Sequence, residues 1–196
     1  MSQDPTGRFY EKNAQTYVQH AVAPSRQRLD PFLELLPCEA EILELGCGNG
    51  RDSAEMLSRG FRVTPTDGIA EIAAEASRRL NMPVPVVRFD EIEAVSAFDG
   101  IWANACLLHV PRTDLPDVFY RIHRALRPGG VFYASFKAGE AEGHDALGRY
   151  FNYPSEDWLK ALCETSLWRT LAFDTHHGGA YDGQPTDWLH LLAVKD

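Results

Sequence analysis

Three observations predict an α/β fold, with short strands and helices alternating along the chain. The first is the stretch from Glu41 to Asp67. A short apolar run, Glu41 to Leu45, stops at glycines on alternate positions (Gly46, Gly48, Gly50). A helix-like segment follows from Arg51 to Arg59, and a second β-prone run ends at Asp67. That succession is a βαβ unit with a glycine-rich first turn. The second observation is that apolar runs and helical segments keep alternating as far as Phe136. The third is length: 196 residues suffice for one domain with a full core.

Taken in order, Phe9 to Ala23 carries Phe9, Tyr10, Ala14, Tyr17, Val18 and Ala21 at helical spacing, and Pro24 stops it. Ser25 to Leu36 sets Leu29, Phe32, Leu33 and Leu36 on one stripe, and Pro31 inside it predicts a kink or restart. Both helices precede the first strand, so residues 1–37 read as an N-terminal helical cap. Gly60 ends the helix after the glycine turn. Ala70 to Leu80 is the next helix, with Arg78 and Arg79 in its last turn to suit the helix dipole. Val84 to Val87 is the third strand, kept short by Pro83 and Pro85. Phe98 to Ala103 is the fourth, followed by a helix from Arg112 to Leu126. Arg127-Pro128-Gly129-Gly130 breaks that helix, and Val131 to Phe136 is the fifth strand. Residues 138–153 read as a long glycine-dotted loop beside the site. Ser155 caps a helix running to about Cys163. Leu167 to Thr175 is the sixth strand, His176 to Gly183 a loop, and Thr186 to Val194 a final strand with Trp188, His190, Leu192 and Val194 on one face.

Composition excludes several classes. Hydrophobic content of 44% with 24% charged residues is globular. A net charge of −9 repels phosphate backbones, which argues against a nucleic-acid partner. No apolar run approaches the ~20 residues that cross a bilayer. Met1-Ser2-Gln3-Asp4-Pro5 lacks the basic and apolar regions of a signal peptide. Cys38, Cys47, Cys106 and Cys163 show no C-x-x-C spacing and read as reduced thiols of a cytoplasmic protein, with no metal site expected.

The glycine spacing narrows the ligand. Dinucleotide sites use G-x-G-x-x-G. Here the pattern is G-x-G-x-G, Arg51 stands where the third dinucleotide glycine would be, and Glu44 precedes the turn, an acid that would repel a pyrophosphate. Ile42-Leu43-Glu44-Leu45-Gly46-Cys47-Gly48-Asn49-Gly50 closely resembles the first motif of class I S-adenosylmethionine (SAM)-dependent methyltransferases. The helix, R-P-G-G and strand succession at 112–136 is similar too, so the resemblance covers roughly residues 40–137. It implies a Rossmann-like, seven-stranded, mostly parallel sheet in the order 3-2-1-4-5-7-6, with the last strand antiparallel and helices on both faces. It also implies a single methyltransferase domain over 1–196, with a SAM-binding core at 38–137 and a substrate-side half at 138–196. The activity implied is transfer of the sulfonium methyl to a small-molecule acceptor, leaving S-adenosylhomocysteine (SAH), by a monomer or homodimer. The alternative is a SAM- or nucleotide-binding regulatory module without transfer activity.

The same resemblance distributes the site. Glu44, Gly46, Cys47, Gly48 and Gly50 form the cofactor turn. Asp67, with Gly68 beside it, falls 21 positions after Gly46 (67 − 46), where a carboxylate can accept both ribose hydroxyls. Asp90 or Glu91 would meet the adenine amino group. Asn104 leaves the fourth strand at the site. Tyr10 and Tyr17, seven apart, share a helix face. They would bond the cofactor's carboxylate end or wall the methyl group, or else pack on the sheet. His109 is the one basic group expected near the methyl, either as general base, since an unperturbed imidazole near pH 6.5 suits that work, or as a brace before Pro111. Lys137, Tyr150 and Tyr153, with Tyr133 and Trp158, are expected acceptor walls. Cys106 reads as buried, and His144, His176 and His177 as exposed loop residues. The chain lacks the N/D-P-P-Y/F turn of enzymes acting on planar amides, having Asn104-Ala105-Cys106-Leu107 instead.

Overall fold

The computed structural model describes residues 4–19, 24, 26–181 and 183–196. Its strands are Glu41–Leu45 (β1), Arg62–Thr66 (β2), Phe98–Ala103 (β3), Leu126–Lys137 (β4), Gly143–His144 (β5), Tyr150–Phe151 (β6), Trp168–Gly179 (β7) and Pro185–Lys195 (β8). Six of them form one sheet in the order β2-β1-β3-β4-β8-β7, and β5 and β6 pair separately. β1 to β4 are mutually parallel, and β8 runs antiparallel to both β4 and β7. The order expected from the resemblance is therefore present, with one strand missing. Residues 84–87 are reduced to a single parallel bridge, Asp67 to Val86. Pro83 and Pro85 have no N–H to give a ladder, and the residues after them, 88–97, hold one 3-10 turn instead of a crossover helix.

The helices are Pro5–Gln19 (α1), Arg26–Glu34 (α2), Arg51–Ser58 (α3), Ala70–Leu80 (α4), Leu115–Ala125 (α5) and Glu156–Cys163 (α6). α1 starts earlier than its apolar pattern suggested because Asp4 caps it, accepting from the N–H groups of Thr6 and Gly7, with Pro5 in the first turn. The expected end of this helix at 20–23, together with Ser25, lies outside the described residues. α2 passes through Pro31 as one assigned helix and finishes in 3-10 bonds from Leu35 and Leu36 to Phe32 and Leu33.

The two cores show where α2 belongs. On one sheet face Leu29, Phe32 and Leu33 of α2 and Met56 of α3 pack on Ile42, Trp102, Val131 and Tyr133. On the other face Leu115, Val118, Phe119 and Ile122 of α5 and Leu159 of α6 pack on Ile101, Phe132, Ala134 and Phe136. Gly100 is glycine because α2 lies against it: a Cβ there would stand 2.8 Å from Phe32 and 2.9 Å from Leu36. So α2 is a core helix, and the expected cap over 1–37 contracts to α1, which meets α4 across the carboxyl ends of the strands. Arg127 to Gly130, expected as a break between the helix and a strand starting at Val131, lies inside β4. It forms an irregularity in the β3–β4 register between Phe98 and Gly100, with Gly129 at φ +76°.

The β7–β8 hairpin is longer than its sequence pattern implied. His176 to Gly179 are strand, paired with Pro185 to Trp188, so only the tip is a turn; Asp182, within that tip, lies outside the described residues. β7 is an edge strand exposed along most of its length, which removes the alternation that would have marked its end. The loop expected at 138–153 carries the β5–β6 hairpin.

Phe32→Ala tests the place of α2. Phe32 is fully buried, and its truncation should lower unfolding free energy by about 3–5 kcal/mol in urea denaturation. A loss below about 1 kcal/mol would make α2 a detachable cap after all.

Candidate active site

The site lies at the carboxyl edge of the parallel strands, where the loops after β1 and β3 meet. Gly46, Gly48 and Gly50 all have positive φ, at 62°, 58° and 73°. Gly46 is the tightest point: a Cβ would come 2.5 Å from the Cβ of Cys106, so only glycine lets these loops touch. Gly48 faces the ring of Tyr17, which leaves bare main chain under α1.

Two cavities adjoin over this turn and share Tyr10, Tyr17, Gly46, Gly48, Ala105 and His109 as walls. One, of about 650 Å³, contains Asp67, Gly68 and Asp90. The other, of about 510 Å³, contains Glu44, Cys47, Asn104, Lys137 and Arg149. Either volume suits a small molecule.

Asp67 is 7% exposed. Its carboxylate accepts the N–H groups of Gly48 at 3.0 Å and Ile69 at 2.9 Å. Burial pushes its pKa up to about 6, and those two bonds pull it back. A carboxylate offers about four acceptor sites, so two remain for donors arriving from the 650 Å³ cavity. That is a fit for a ribose diol. Asp90 reaches this cavity, with Arg88 Nε at 3.1 Å. Glu91 does not line it. Its side chain turns back to accept the Arg88 N–H at 2.9 Å and caps the 3-10 turn, which leaves Asp90 as the acid at that end.

Glu44 is 3% exposed and receives a short hydrogen bond from Ser53 Oγ. Burial, then the neighbouring Asp52, hold its carboxyl well above the usual range. That shift weakens the repulsion of a pyrophosphate that the sequence alone suggested. The carboxyl group at the centre of this network is Asp52's. It accepts from Trp102 Nε1 and Asn104 Nδ2, both at 3.1 Å, and from Arg51 through Nε at 2.7 Å and Nη2 at 3.1 Å. Ser135 Oγ donates to Asn104 Oδ1 and receives the Ala105 N–H, each at 2.8 Å. Cys47 and Cys106 are buried thiols pushed up by that burial. All four cysteines are unpaired, and no metal-holding cluster of His, Cys, Asp or Glu occurs among the described residues.

His109 sits between the cavities. Its Nδ1 lies 2.6 Å from the Tyr150 carbonyl, which can only accept, so Nδ1 carries the proton. In the neutral ring Nε2 then accepts the Tyr10 hydroxyl at 2.9 Å. Burial pushes the His109 pKa down to about 4. That corrects the expectation of an imidazole titrating near neutrality: the ring is neutral and engaged on both nitrogens. Tyr10 and Tyr17 meet edge to face at 5.0 Å, and burial raises both hydroxyls, Tyr10 to about 12.

The expected acceptor walls divide. Lys137 is 7% exposed, lines the 510 Å³ cavity and lies over the Phe151 ring at 4.3 Å. Tyr150 reaches the other cavity, with its hydroxyl on Glu142 at 2.6 Å. Tyr153 stacks on Phe151 and gives its carbonyl to Arg112, which lies over Trp158. Tyr133 is on the far face of the sheet, stacked on Trp102 and bonded to His190. It walls no acceptor, because alternation along β4 points it toward α2. His144 of β5 and His176 and His177 of β7 are exposed as expected, but in strands where loops were expected.

Sequence reasoning missed Asp52 and Arg149. Arg149 is the only Lys or Arg between Lys137 and Lys160, a signal that was available. It is 2% exposed and clamped by Asp145.

A glycine turn, a carboxylate at the end of the next strand and a six-stranded mixed sheet together define the Rossmann-like α/β fold of class I SAM-dependent methyltransferases. Residues 42–130 match the methyltransferase domain family. It is 30% identical over 157 residues to trans-aconitate 2-methyltransferase of Deinococcus radiodurans, covering 78% of this chain and 56% of that protein. To malonyl-[acyl-carrier protein] O-methyltransferase of Enterobacter lignolyticus it is 36% identical over 129 residues, covering 62% of this chain and 49% of the relative. The chain thus spans about half the length of these relatives. Among solved structures, Burkholderia thailandensis 1,6-didemethyltoxoflavin-N1-methyltransferase with bound 1,6-didemethyltoxoflavin and SAH aligns with TM-score 0.75 at 24% identity, over 96% of this chain and 84% of that one. A Methanosarcina mazei SAM-dependent methyltransferase aligns equally well, at 20% identity over 83% and 95%.

The raised carboxyl of Asp67 has a stability consequence with a definite sign. Its folded pKa, about 6, exceeds the usual 3.8, so the folded state holds the proton more tightly. Its contribution is present below about pH 4 and is lost as pH rises through 6. Asp67→Asn should therefore gain on wild type between pH 4 and pH 7.5, by up to about 3 kcal/mol, in paired urea titrations without ligand. A gap that does not change with pH would show that Asp67 is not strained.

Proposed function

We propose that this chain is a SAM-dependent methyltransferase acting on a small-molecule acceptor. The observation that carries the proposal is the pair of adjoining cavities. One ends at an under-satisfied buried carboxylate, Asp67. The other continues past the same glycine turn into a separate space lined by Lys137 and Arg149. A module that only bound the cofactor would not need the second space.

SAM supplies an already activated methyl on a positively charged sulfur. Asp67 would hold the ribose hydroxyls, Gly46 to Gly50 the main-chain contacts beneath, and Asp90 the adenine end. Tyr10 and Tyr17 would close over the shared floor and exclude water. What remains for the protein is alignment of the acceptor, which can supply much of the acceleration in a methyl transfer. His109, neutral and locked in one tautomer, is better placed to orient Tyr10 than to take a proton.

On this reading residues 1–196 act as one domain, with the SAM-binding core at 38–137 and the acceptor walls mainly at 138–196, working as a monomer or homodimer. No helix among the described residues is long and apolar enough to cross a membrane. The four unpaired thiols suit the cytoplasm, and a net charge of −9 disfavours nucleic acid.

Calorimetric titration with SAM, SAH and NAD tests the reading. Micromolar binding of the first two and none of NAD is expected; NAD binding alone would overturn it. Asp67→Ala should weaken SAH binding by on the order of 30- to 1,000-fold, the loss of two hydrogen bonds to a charged group. Affinity of the wild type should also fall as pH drops through about 6, where Asp67 takes up a proton.

A further inference from the structure

The acceptor-side cavity is cationic in a protein of net charge −9. Among the described residues, Arg51, Lys137 and Arg149 line it with two acids, Asp52, which Arg51 pairs, and Glu44, whose carboxyl burial pushes well above its usual range. Arg149 is the unusual member. It is 2% exposed, and its five N–H donors are poorly used. Nε donates to Asp145 at 2.8 Å, and Nη1 reaches Tyr10 Oη only at 3.4 Å. Nη2 is 2.7 Å from Asp145 Oδ2 yet makes no hydrogen bond of proper geometry. The rings of Phe9, Phe151 and Tyr181 enclose the guanidinium at 5.1, 5.2 and 5.3 Å. A buried guanidinium short of acceptors is costly, and a rigid fork held among rings matches a carboxylate.

We propose that the acceptor is a small carboxylic acid, bound as its carboxylate by Arg149 and Lys137 and methylated on a carboxylate oxygen. The proposal rests on the methyltransferase reading of the same site. A carboxylate lone pair forms the O–CH₃ bond as the sulfonium C–S bond breaks, and the C–S electron pair stays on sulfur. An anion and a cation become a neutral methyl ester and a neutral thioether, with no proton released. Hydroxyl and ammonium acceptors, by contrast, must lose a proton to some base. His109, pushed down to about 4 by burial and bonded on both ring nitrogens, is a poor one. A carboxylate makes no such demand.

The test uses methyl-labelled SAM with malonate, citrate, trans-aconitate and benzoate, and with phosphoethanolamine and catechol as amine and hydroxyl controls. At least one acid should give product whose label is released as volatile methanol by alkali, without proton release in weak buffer. Calorimetry on the SAH-saturated protein should show that acid binding. Arg149→Gln and Lys137→Gln should each weaken it by on the order of 30-fold while SAH affinity stays within about twofold. Arg149→Lys, which keeps the charge, should retain part of the affinity and guards against misfolding. Alkali-stable label, a proton released per turnover, or no panel acid bound to the SAH-saturated protein would overturn the proposal and leave the methyltransferase reading standing. So would a loss of SAH affinity in a folded Arg149→Gln, because Arg149 would then serve the cofactor's own carboxylate. If wild type binds no SAH, the methyltransferase reading fails and takes this proposal with it.

Discussion

The carboxylate of Asp52 ties the site together. It stands in the first turn of α3, 4% exposed, and draws donors from Arg51, Trp102 and Asn104. A buried carboxyl group is tolerable only when its oxygens are hydrogen-bonded, so these groups are held where they are by one side chain. The consequences spread outward. Trp102, fixed through its indole N–H, presents its ring to Phe32 of α2 on one side and Tyr133 of β4 on the other. Asn104 passes the constraint to Ser135, which in turn holds the Ala105 N–H. The order of the β3 loop, and hence the position of Cys106 against Gly46, follows from that chain of bonds.

α1 is secured to this platform at separate points along its length. Asn49 Nδ2 donates to the Val18 carbonyl near its C-terminal end, Tyr10 bonds His109 in the middle, and Thr6 Oγ1 receives the Tyr150 N–H at its start. Each anchor belongs to a different wall: the glycine turn, the β3 loop and the β5–β6 hairpin. The roof therefore senses all three. Anything that enters either cavity must lift α1 or pass beside it, and a helix held by a few side-chain bonds can open at modest cost, since each contributes only about 0.5–1.5 kcal/mol net.

Much of this was readable in the chain, and the parts that were not share a cause. The glycine turn and Asp67 could be placed because each is a local solution to a local demand, a positive φ or the end of a βαβ unit. The strand reduced to a bridge was foreshadowed by Pro83 and Pro85, yet only the fold shows that one bridge suffices. α2 looked like a cap because it precedes β1, and order along the chain says nothing about which face a helix covers. Burial raises the Glu44 carboxyl and lowers the His109 imidazole, and sequence carries no measure of burial. Arg149 was hidden twice over: its hairpin strands have two residues each, too short for any periodic signal, and its partner ring Phe9 stands 140 positions earlier (149 − 9).

Charge reconciles the exterior with the interior. A surface of net charge −9 keeps polyanions away and favours approach of a sulfonium cation. At ordinary ionic strength that field fades within about 8–10 Å. A small anion that reaches the mouth of the cavity by diffusion then meets a different environment, set by groups screened from the exterior. There burial raises the Glu44 carboxyl, Asp52 is occupied by its donors, and Lys137 and Arg149 line a low-dielectric wall. The outer charge acts against large polyanions, while the inner charge acts on whatever is small enough to pass. A cationic cofactor and an anionic acceptor can be drawn to neighbouring cavities of one acidic protein because two fields of opposite sign operate over different distances.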